Sequence, residues 1–328
     1  MRAIVIDRPG GPEELRLREL PVPRGREGWT LVRVMAFGLN SSELFTRQGL
    51  APTVVFPRVP GIECVGVVEA SSDPGLPAGT AVAAAMGGMG RQFDGSYAEY
   101  ALLPTEQFIR LRSALPWTTL AAVSESCLTA YGSLEALSLR PGHRLLVRAA
   151  SSSVGMAALA LAADPDVEIA ATTRDLSKAH ALQEQGAHHV VLDSGCGIRD
   201  AVRTVWRQGA DRVLDLVGGA AVLDSLAALT PGGRVCNSGI LSSTWTIPDF
   251  EPLEDIPSGA TLTTFSSSEI NTGAWAQEAL DGIVRRIAAG DCRVVIDRVF
   301  SLDEVADAHR HMEADRATGK VAAVVHHP

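Results

Sequence analysis

Residues 149–155 read Ala-Ala-Ser-Ser-Ser-Val-Gly, between the apolar run that ends at Val147 and a second apolar stretch that begins near Met156. A short loop that leaves a strand and enters a helix presents backbone N–H groups and the positive end of the helix dipole, which suits a phosphate or pyrophosphate. Such loops usually carry glycine where the backbone meets the ligand. Here only Gly155 remains, where close helix-to-strand packing requires it. Ser151, Ser152 and Ser153 supply hydroxyls that can donate to phosphate oxygens, and Val154 opens the helix. The same residues also suit an ordinary strand-to-helix turn with serine caps, so the loop alone leaves both readings open.

The end of the next strand separates them. About 20 residues past such a loop, an NAD site places Asp or Glu on the ribose hydroxyls, whereas an NADP site places a cation or hydroxyls on the 2′-phosphate. This chain has Thr172-Thr173-Arg174, then Ser177 and Lys178. Thr173, Arg174 and Lys178 therefore read as a 2′-phosphate site and favour NADPH. Asp175 falls beyond the strand end and serves the next helix N-terminus. The plainer alternative is an exposed Arg and Lys on a solvated helix start.

The loop needs a parallel sheet to hold it. After Pro116, strand-like runs at 144–148, 168–172, 189–192, 212–216, 234–237 and 261–265 alternate with helical patterns at 154–163, 176–185, 198–207 and 220–229. Each helical segment is long enough for a right-handed crossover, which predicts a doubly wound sheet of about six strands. Before residue 115 the texture differs. Short runs at 3–7, 29–35, 64–69 and 80–84, broken by Pro and Gly, predict an antiparallel, partly barrel-like domain. The tail carries a helix over about 272–289, a strand in "VVIDRVF", a helix in "SLDEVADAHRHMEA" opened by a Ser301/Glu304 capping box, and a closing strand in "KVAAVV". No repeat or low-complexity linker intervenes. One domain is expected from 1–122 with 267–328, around an inserted domain, 123–266.

Composition narrows the function classes. The 328 residues suggest about two domains, and 46% hydrophobic content supports a sizeable core. A net charge of −9, with 29 Lys and Arg against 38 Asp and Glu, argues against a nucleic-acid partner. Cys64, Cys127, Cys196, Cys236 and Cys292 form no CxxC pair, so they are expected as reduced, mostly buried thiols. "MRAIVIDRPG" lacks a signal-peptide core, and no run of about 18 apolar residues occurs. A cytoplasmic protein without a membrane span is expected.

The order of "GLNSSELFTRQGL", "PGIECVGVVE", "GSYAEY", "CLTAYGSL", the serine loop, "QGAHHVVL", "VLDLVGG", "LTPGGRVCNSGI" and "RVFSLDEVADAHRHMEADRATGKVAAVV" resembles the zinc-independent quinone oxidoreductase (zeta-crystallin-like) branch of the medium-chain dehydrogenase/reductase superfamily. The resemblance spans nearly the whole chain and rests on order and spacing together. It implies an α/β protein with a GroES-like, partly barrel-shaped β domain and a Rossmann domain built on a doubly wound parallel sheet. It further implies NADPH as hydride donor, an active site in the cleft between the domains, and a homodimer, for which "TLTTF" is the expected pairing edge.

The zinc-dependent relatives carry an early Cys, a His after the glycine of "PG", and a four-cysteine lobe. At the matching positions this chain has Asn40 and Pro60-Gly61-Ile62-Glu63, with no cysteine cluster, and Ile62 cannot ligate a metal. The His pairs at 188/189, 309/311 and 326/327 read as surface. No metal is expected.

Hydride transfer to a quinone or enone develops negative charge on the carbonyl oxygen, and a proton must follow, so donors near that oxygen are required. The family stretch is Asn, two residues, Asp, one residue, Tyr; here it reads Asn40, Ser41, Ser42, Glu43, Leu44, Phe45. The resemblance makes Asn40 the amide donor, with Arg47 close behind, while Phe45 has no hydroxyl. Tyr97 and Tyr131 are the expected cleft tyrosines, with Tyr97 taken as the catalytic one. Thr129, Ser238 and Gly239 match family positions beside the nicotinamide, and loops 85–93 and 241–255 are expected to line the substrate pocket. The leading reading is an NADPH-dependent quinone oxidoreductase or alkenal reductase acting on a quinone or small α,β-unsaturated carbonyl compound. The alternatives are an enoyl-thioester reductase of the same superfamily and a catalytically weak NADPH-binding protein.

Overall fold

The computed structural model describes residues 1–195, 197–270 and 274–327. The chain divides into Met1–Leu128 with Ser268–Pro328, and Thr129–Ser267.

In Thr129–Ser267, short runs of Val, Leu, Ile and Ala become strands buried on both faces, as a parallel sheet covered by helices demands. Leu145, Leu146 and Val147 have no exposed surface. The strands are Arg144–Val147, Glu168–Thr173, His189–Leu192, Ala210–Asp215, Leu229–Asn237 and Thr261–Thr264. All pair in parallel, in the spatial order third, second, first, fourth, fifth, sixth. Helices Ser153–Ala162, Ala179–Glu184, Ile198–Val205 and Ala221–Ala227 make the crossovers. Leu146, Ala170, Val213 and Val235 meet Ile198, Val202 and Leu226 in the core. The strand order reverses between the first and fourth strands, and in doubly wound sheets ligands bind beyond the carboxyl ends at that point. The serine loop leaves the first of these strands. Thr261–Thr264 lies at the sheet's edge.

In the other unit, Trp29–Leu39 is the central strand. It pairs antiparallel with Glu63–Ser71, Tyr100–Pro104 and Lys320–Val324. Ala81–Ala85 and Phe108–Arg110 extend the sheet on one side, and Ile296–Ser301 on the other. Trp29–Leu39 runs past the expected end at 35 because residues 36–39 pair with Val321–Val324. Arg2–Val5 and Arg16–Glu19 form a separate two-stranded sheet. Phe37, Tyr97, Leu103, Phe300 and Val321 share one core.

The expected Ser301/Glu304 capping box forms, with Ser301 N–H donating to Glu304 at 2.9 Å. It opens a 3-10 turn, Leu302–Glu304, that leads into helix Val305–Glu313. The expected helix at 272–289 is Ala274–Ala289; Thr272 lies outside the described residues. Cys64, Cys127, Cys236 and Cys292 are buried and form no disulfide, while Cys196 lies outside the described residues. No described helix is long and apolar enough to cross a membrane.

Candidate active site

The serine loop begins with an unusual backbone. Ala149 adopts φ +55°, a region L-residues seldom use. It is held there by its N–H, which donates to Thr172 Oγ1 at 3.1 Å, and by Ala150 N–H, which donates to Thr172 O at 3.0 Å. Ser152 caps helix Ser153–Ala162, its Oγ accepting from Gly155 N–H at 3.1 Å. A Cβ on Gly155 would lie 2.6 Å from Ala150 Cα and 2.7 Å from Ala149 O, so only glycine lets the helix approach the loop this closely. Ser151, Ser152 and Ser153 keep partial exposure, as does Val154, while Gly155 is buried. The loop thus has the tight backbone of a phosphate cradle despite its serines.

The neighbouring strand delivers Thr173 to the same end of the sheet. Thr173 Oγ1 accepts from Asp175 N–H at 3.1 Å. Asp175 caps the next turn through Ser177, whose N–H donates at 2.9 Å and whose hydroxyl donates at 2.7 Å. These bonds hold the Asp175 carboxyl below its ordinary range. Asp175 therefore serves the helix start, as its position in the sequence suggested. Arg174 is exposed and Lys178 partly so, on the short segment after the strand.

Thr129 and Ser238 are brought together by a residue the sequence analysis did not single out. Ser133 Oγ donates to Thr129 O at 2.6 Å and lies 2.7 Å from Ser238 Oγ. Gly239 approaches Leu216 so closely that a Cβ would sit 2.4 Å from its carbonyl oxygen.

Beneath the loop lies a second unforeseen feature. Arg148 has no exposed surface. Its guanidinium binds Asp193 through Nε at 3.0 Å and through the second terminal nitrogen at 2.9 Å, and it donates to Ala221 O at 2.8 Å and Ser225 Oγ at 3.1 Å. Asp215 and Asp224 stand 3.9 Å and 3.6 Å from it. Asp215 in turn accepts from Val217 and Gly218 N–H, each at 2.8 Å. One buried cation therefore ties together the ends of the first, third and fourth strands, the first and fourth of which flank the switch point.

The catalytic candidates fall in the other unit, in two separate settings. Asn40 sits at the start of helix Ser41–Gln48, and Glu43 Oε2 accepts from its backbone N–H at 3.1 Å. Its side chain joins Glu63 and Lys320: Nδ2 donates to Glu63 Oε1 at 2.9 Å, and Oδ1 accepts from Lys320 Nζ at 2.6 Å. Burial pushes the Glu43 carboxyl up to about 7, against the Ile62 N–H bond that pulls it down. Burial also works against the Lys320 ammonium, but Glu63 and Glu125 overcome it and hold Lys320 above its ordinary value.

Arg47 and Tyr97 instead contact helix Val305–Glu313. Arg47 pairs with Glu313 and donates to Gly10 O at 2.7 Å. Tyr97 has no exposed surface, stacks on Phe37 with ring centroids 4.6 Å apart, and places its hydroxyl 3.3 Å from His309 Nε2. Burial holds the Tyr97 phenol well above its ordinary value. His309, expected at the surface, is buried in this core, and burial holds its imidazole down at about 3. The surface reading rested on the lack of a partnering Cys or carboxylate set in the sequence, which does not report which helix face a residue occupies. His309 falls on the inner face of the helix, while His311 pairs with Asp297 at 2.6 Å.

Two family models match the chain: an alcohol dehydrogenase GroES-like domain over residues 26–113 and a zinc-binding dehydrogenase over residues 185–322. Human quinone oxidoreductase is 28% identical over 334 residues, covering 98% of this chain and 97% of its own length. The structure of Escherichia coli quinone oxidoreductase complexed with NADPH has a TM-score of 0.89 at 22% identity, covering 99% of this chain and 100% of that one. An NAD-dependent alcohol dehydrogenase has a TM-score of 0.85 at 28% identity, covering 99% and 100%.

A GroES-like sheet unit and a six-stranded parallel Rossmann sheet are the architecture of the medium-chain dehydrogenase/reductases, an oxidoreductase fold. Within that superfamily the chain is similar to the quinone oxidoreductase branch.

Proposed function

We propose that the chain reduces a quinone or a small α,β-unsaturated carbonyl compound with NADPH and without zinc. The observation that carries this reading is the serine loop, with its αL Ala149, its Ser152 cap and the close Gly155 approach, placed at the switch point of the parallel sheet. NADPH, when bound, supplies the hydride. The hydroxyls of Ser151, Ser152 and Ser153 and the N–H groups of Ser153 and Val154 would hold the pyrophosphate, with Gly155, its own N–H given to the Ser152 cap, letting the helix start approach it. Thr173, Arg174 and Lys178 hold the 2′-phosphate, and Thr129, Ser238 and Gly239 line the nicotinamide end. Asn40 donates an amide N–H to the substrate oxygen as negative charge develops there.

Arg47 and Tyr97 take structural roles in this reading, since their polar ends are engaged inside the core. With Phe45 carrying no hydroxyl, water delivers the proton. The residues do not fit a catalytic zinc. Ile62 has no donor atom, Lys320 already places a positive charge 2.5 Å from Glu63, and among the described residues no group of three His, Cys, Asp or Glu is arranged to hold a metal ion. The protein works as a cytoplasmic homodimer in this account, with Thr261–Thr264 offering an open sheet edge; a sedimentation run showing only monomer at micromolar concentration contradicts that pairing.

The test is NADPH consumption with a panel of para-quinones and enones, with and without a chelator. Turnover that survives the chelator is expected; turnover that a chelator abolishes and zinc restores overturns the zinc-free reading. The burial of Tyr97 favours one second reading, NADPH binding without catalysis, which predicts binding but no consumption with any acceptor.

A further inference from the structure

Three side chains from distant parts of the chain close a triangle around Asn40. Lys320 opens the strand Lys320–Val324, and its ammonium has exactly three N–H donors to place. They go to Glu63 Oε1 at 2.5 Å, Asn40 Oδ1 at 2.6 Å and Ser126 Oγ at 2.9 Å. The same Glu63 oxygen accepts from Asn40 Nδ2 at 2.9 Å, while the other accepts from Glu125 N–H at 3.0 Å. Lys320 and Glu63 are 2% and 0% exposed, against 8% for Asn40. Gly38 makes room for the pair, since a Cβ there would lie 2.3 Å from both Glu63 Oε1 and Lys320 Cε.

A side-chain amide is nearly symmetric in shape and strongly asymmetric in charge. Turned over, the Asn40 carbonyl would face the Glu63 carboxylate and its NH2 would face the Lys320 ammonium. Both contacts would be repulsive in a site shielded from water, where charges interact strongly. The triangle therefore allows one orientation. In that orientation one hydrogen of Nδ2 is committed to Glu63, and the second is not used by the triangle.

We infer that Lys320 and Glu63 are positioning residues for the reduction, locking the Asn40 amide so that its second N–H is presented to the substrate oxygen. The inference rests on the proposed reading of Asn40 as the oxyanion donor. Neither charge touches substrate. Each acts through the amide, and the backbone contact to Glu43 fixes the residue that carries it.

The experiment compares wild type, Asn40→Ala, Lys320→Met and the double variant by steady-state kinetics with NADPH and a para-quinone. The Asn40 side-chain amide signals are followed by NMR in wild type and Lys320→Met, and assigned by their loss in Asn40→Ala. Lys320→Met is expected to lower kcat at least tenfold, to leave KM for NADPH within twofold, and to shift the Asn40 amide signals. The double variant should be no slower than Asn40→Ala alone, since Lys320 has nothing left to act through. Multiplying losses in the double variant, or wild-type kcat in Lys320→Met, overturns the inference.

If Lys320→Met does not fold, the near-isosteric Glu63→Gln variant decides. It keeps the shape of the triangle and removes the charge that fixes the amide, so kcat should fall severalfold with KM for NADPH within twofold and the Asn40 amide signals shifted; wild-type kcat with unshifted amide signals overturns the inference. Failure of the proposed function itself appears separately, as wild type that consumes no NADPH with any acceptor.

Discussion

In each unit a buried cation sits among several carboxylates, Arg148 in one and Lys320 in the other, and the two are used differently. In the parallel-sheet unit Arg148 reaches Asp193, Ser225 and Ala221 O, with Asp215 and Asp224 alongside. In the antiparallel unit Lys320 closes on Glu63, Asn40 and Ser126. A planar guanidinium fork spans several elements at once, whereas an ammonium is a compact charge that suits a tight cluster. Arg148 accordingly ties strand ends that feed cofactor loops, and Lys320 orients one amide. Buried ion pairs add little net stability against an apolar alternative. Their value here lies in geometry.

Removing either cation sharpens that contrast most. Arg148→Met leaves Asp193 and Asp215 buried without their partner, and Lys320→Met does the same to Glu63. Each should cost roughly 3–5 kcal/mol in urea unfolding. Only Arg148→Met should also weaken NADPH binding, because Thr172 Oγ1, which supports Ala149, itself donates to Asp193 at 3.3 Å. Equal loss of NADPH affinity in both variants breaks the division of roles.

The two units should also differ in pH response, since the large shifts toward neutrality or acid lie at His309 and Glu43. His309 falls from 6.5 to about 3 on folding. The unfolded chain therefore binds more protons in that window, and stability drops as pH falls from 6.5 toward 3, at about 1.4 kcal/mol per unit. Glu43 rises from 4.5 to about 7, so its contribution is full below 4.5 and is lost as pH rises through 7. His309→Phe should flatten the acid limb and Glu43→Gln the neutral one. Unchanged limbs in thermal melts across pH contradict the assignment.

Smaller effects are expected at the loop. Gly155→Ala forces a Cβ to within 2.6 Å of Ala150 Cα and should cost about 1–3 kcal/mol together with NADPH affinity. Ser152→Ala removes the cap and should cost about 1 kcal/mol, read by thermal melting. A larger loss from Ser152→Ala than from Gly155→Ala reverses the expected order.

Much of this was legible in the chain because it is local. Alternating strand and helix patterns located all six parallel strands, and the loop, Gly155 and the Asp175 cap followed from neighbours in sequence. The helix expected over 176–185 instead begins as a 3-10 turn, Leu176–Lys178, because Asp175 bonds to Ser177. What the sequence hid is long-range. Lys320 and Asn40 meet only through the antiparallel register of Val321 with Leu39, which residue patterns do not encode. The one signal available was a lone charge in an apolar run: Arg148 in "LLVRAA", Glu63 in "GIECVG", Lys320 heading "KVAAVV". Such a charge needs a buried partner, but the sequence does not say which.

The most direct measurement is a titration of the purified protein with NADPH and, separately, NADH, followed by nicotinamide fluorescence, with Arg174→Ala alongside. At least tenfold tighter NADPH binding, about 1.4 kcal/mol, that Arg174→Ala erases is the predicted result. Equal affinity for NADH, or no binding of either, would contradict the reading of the serine loop and of the cations that follow it.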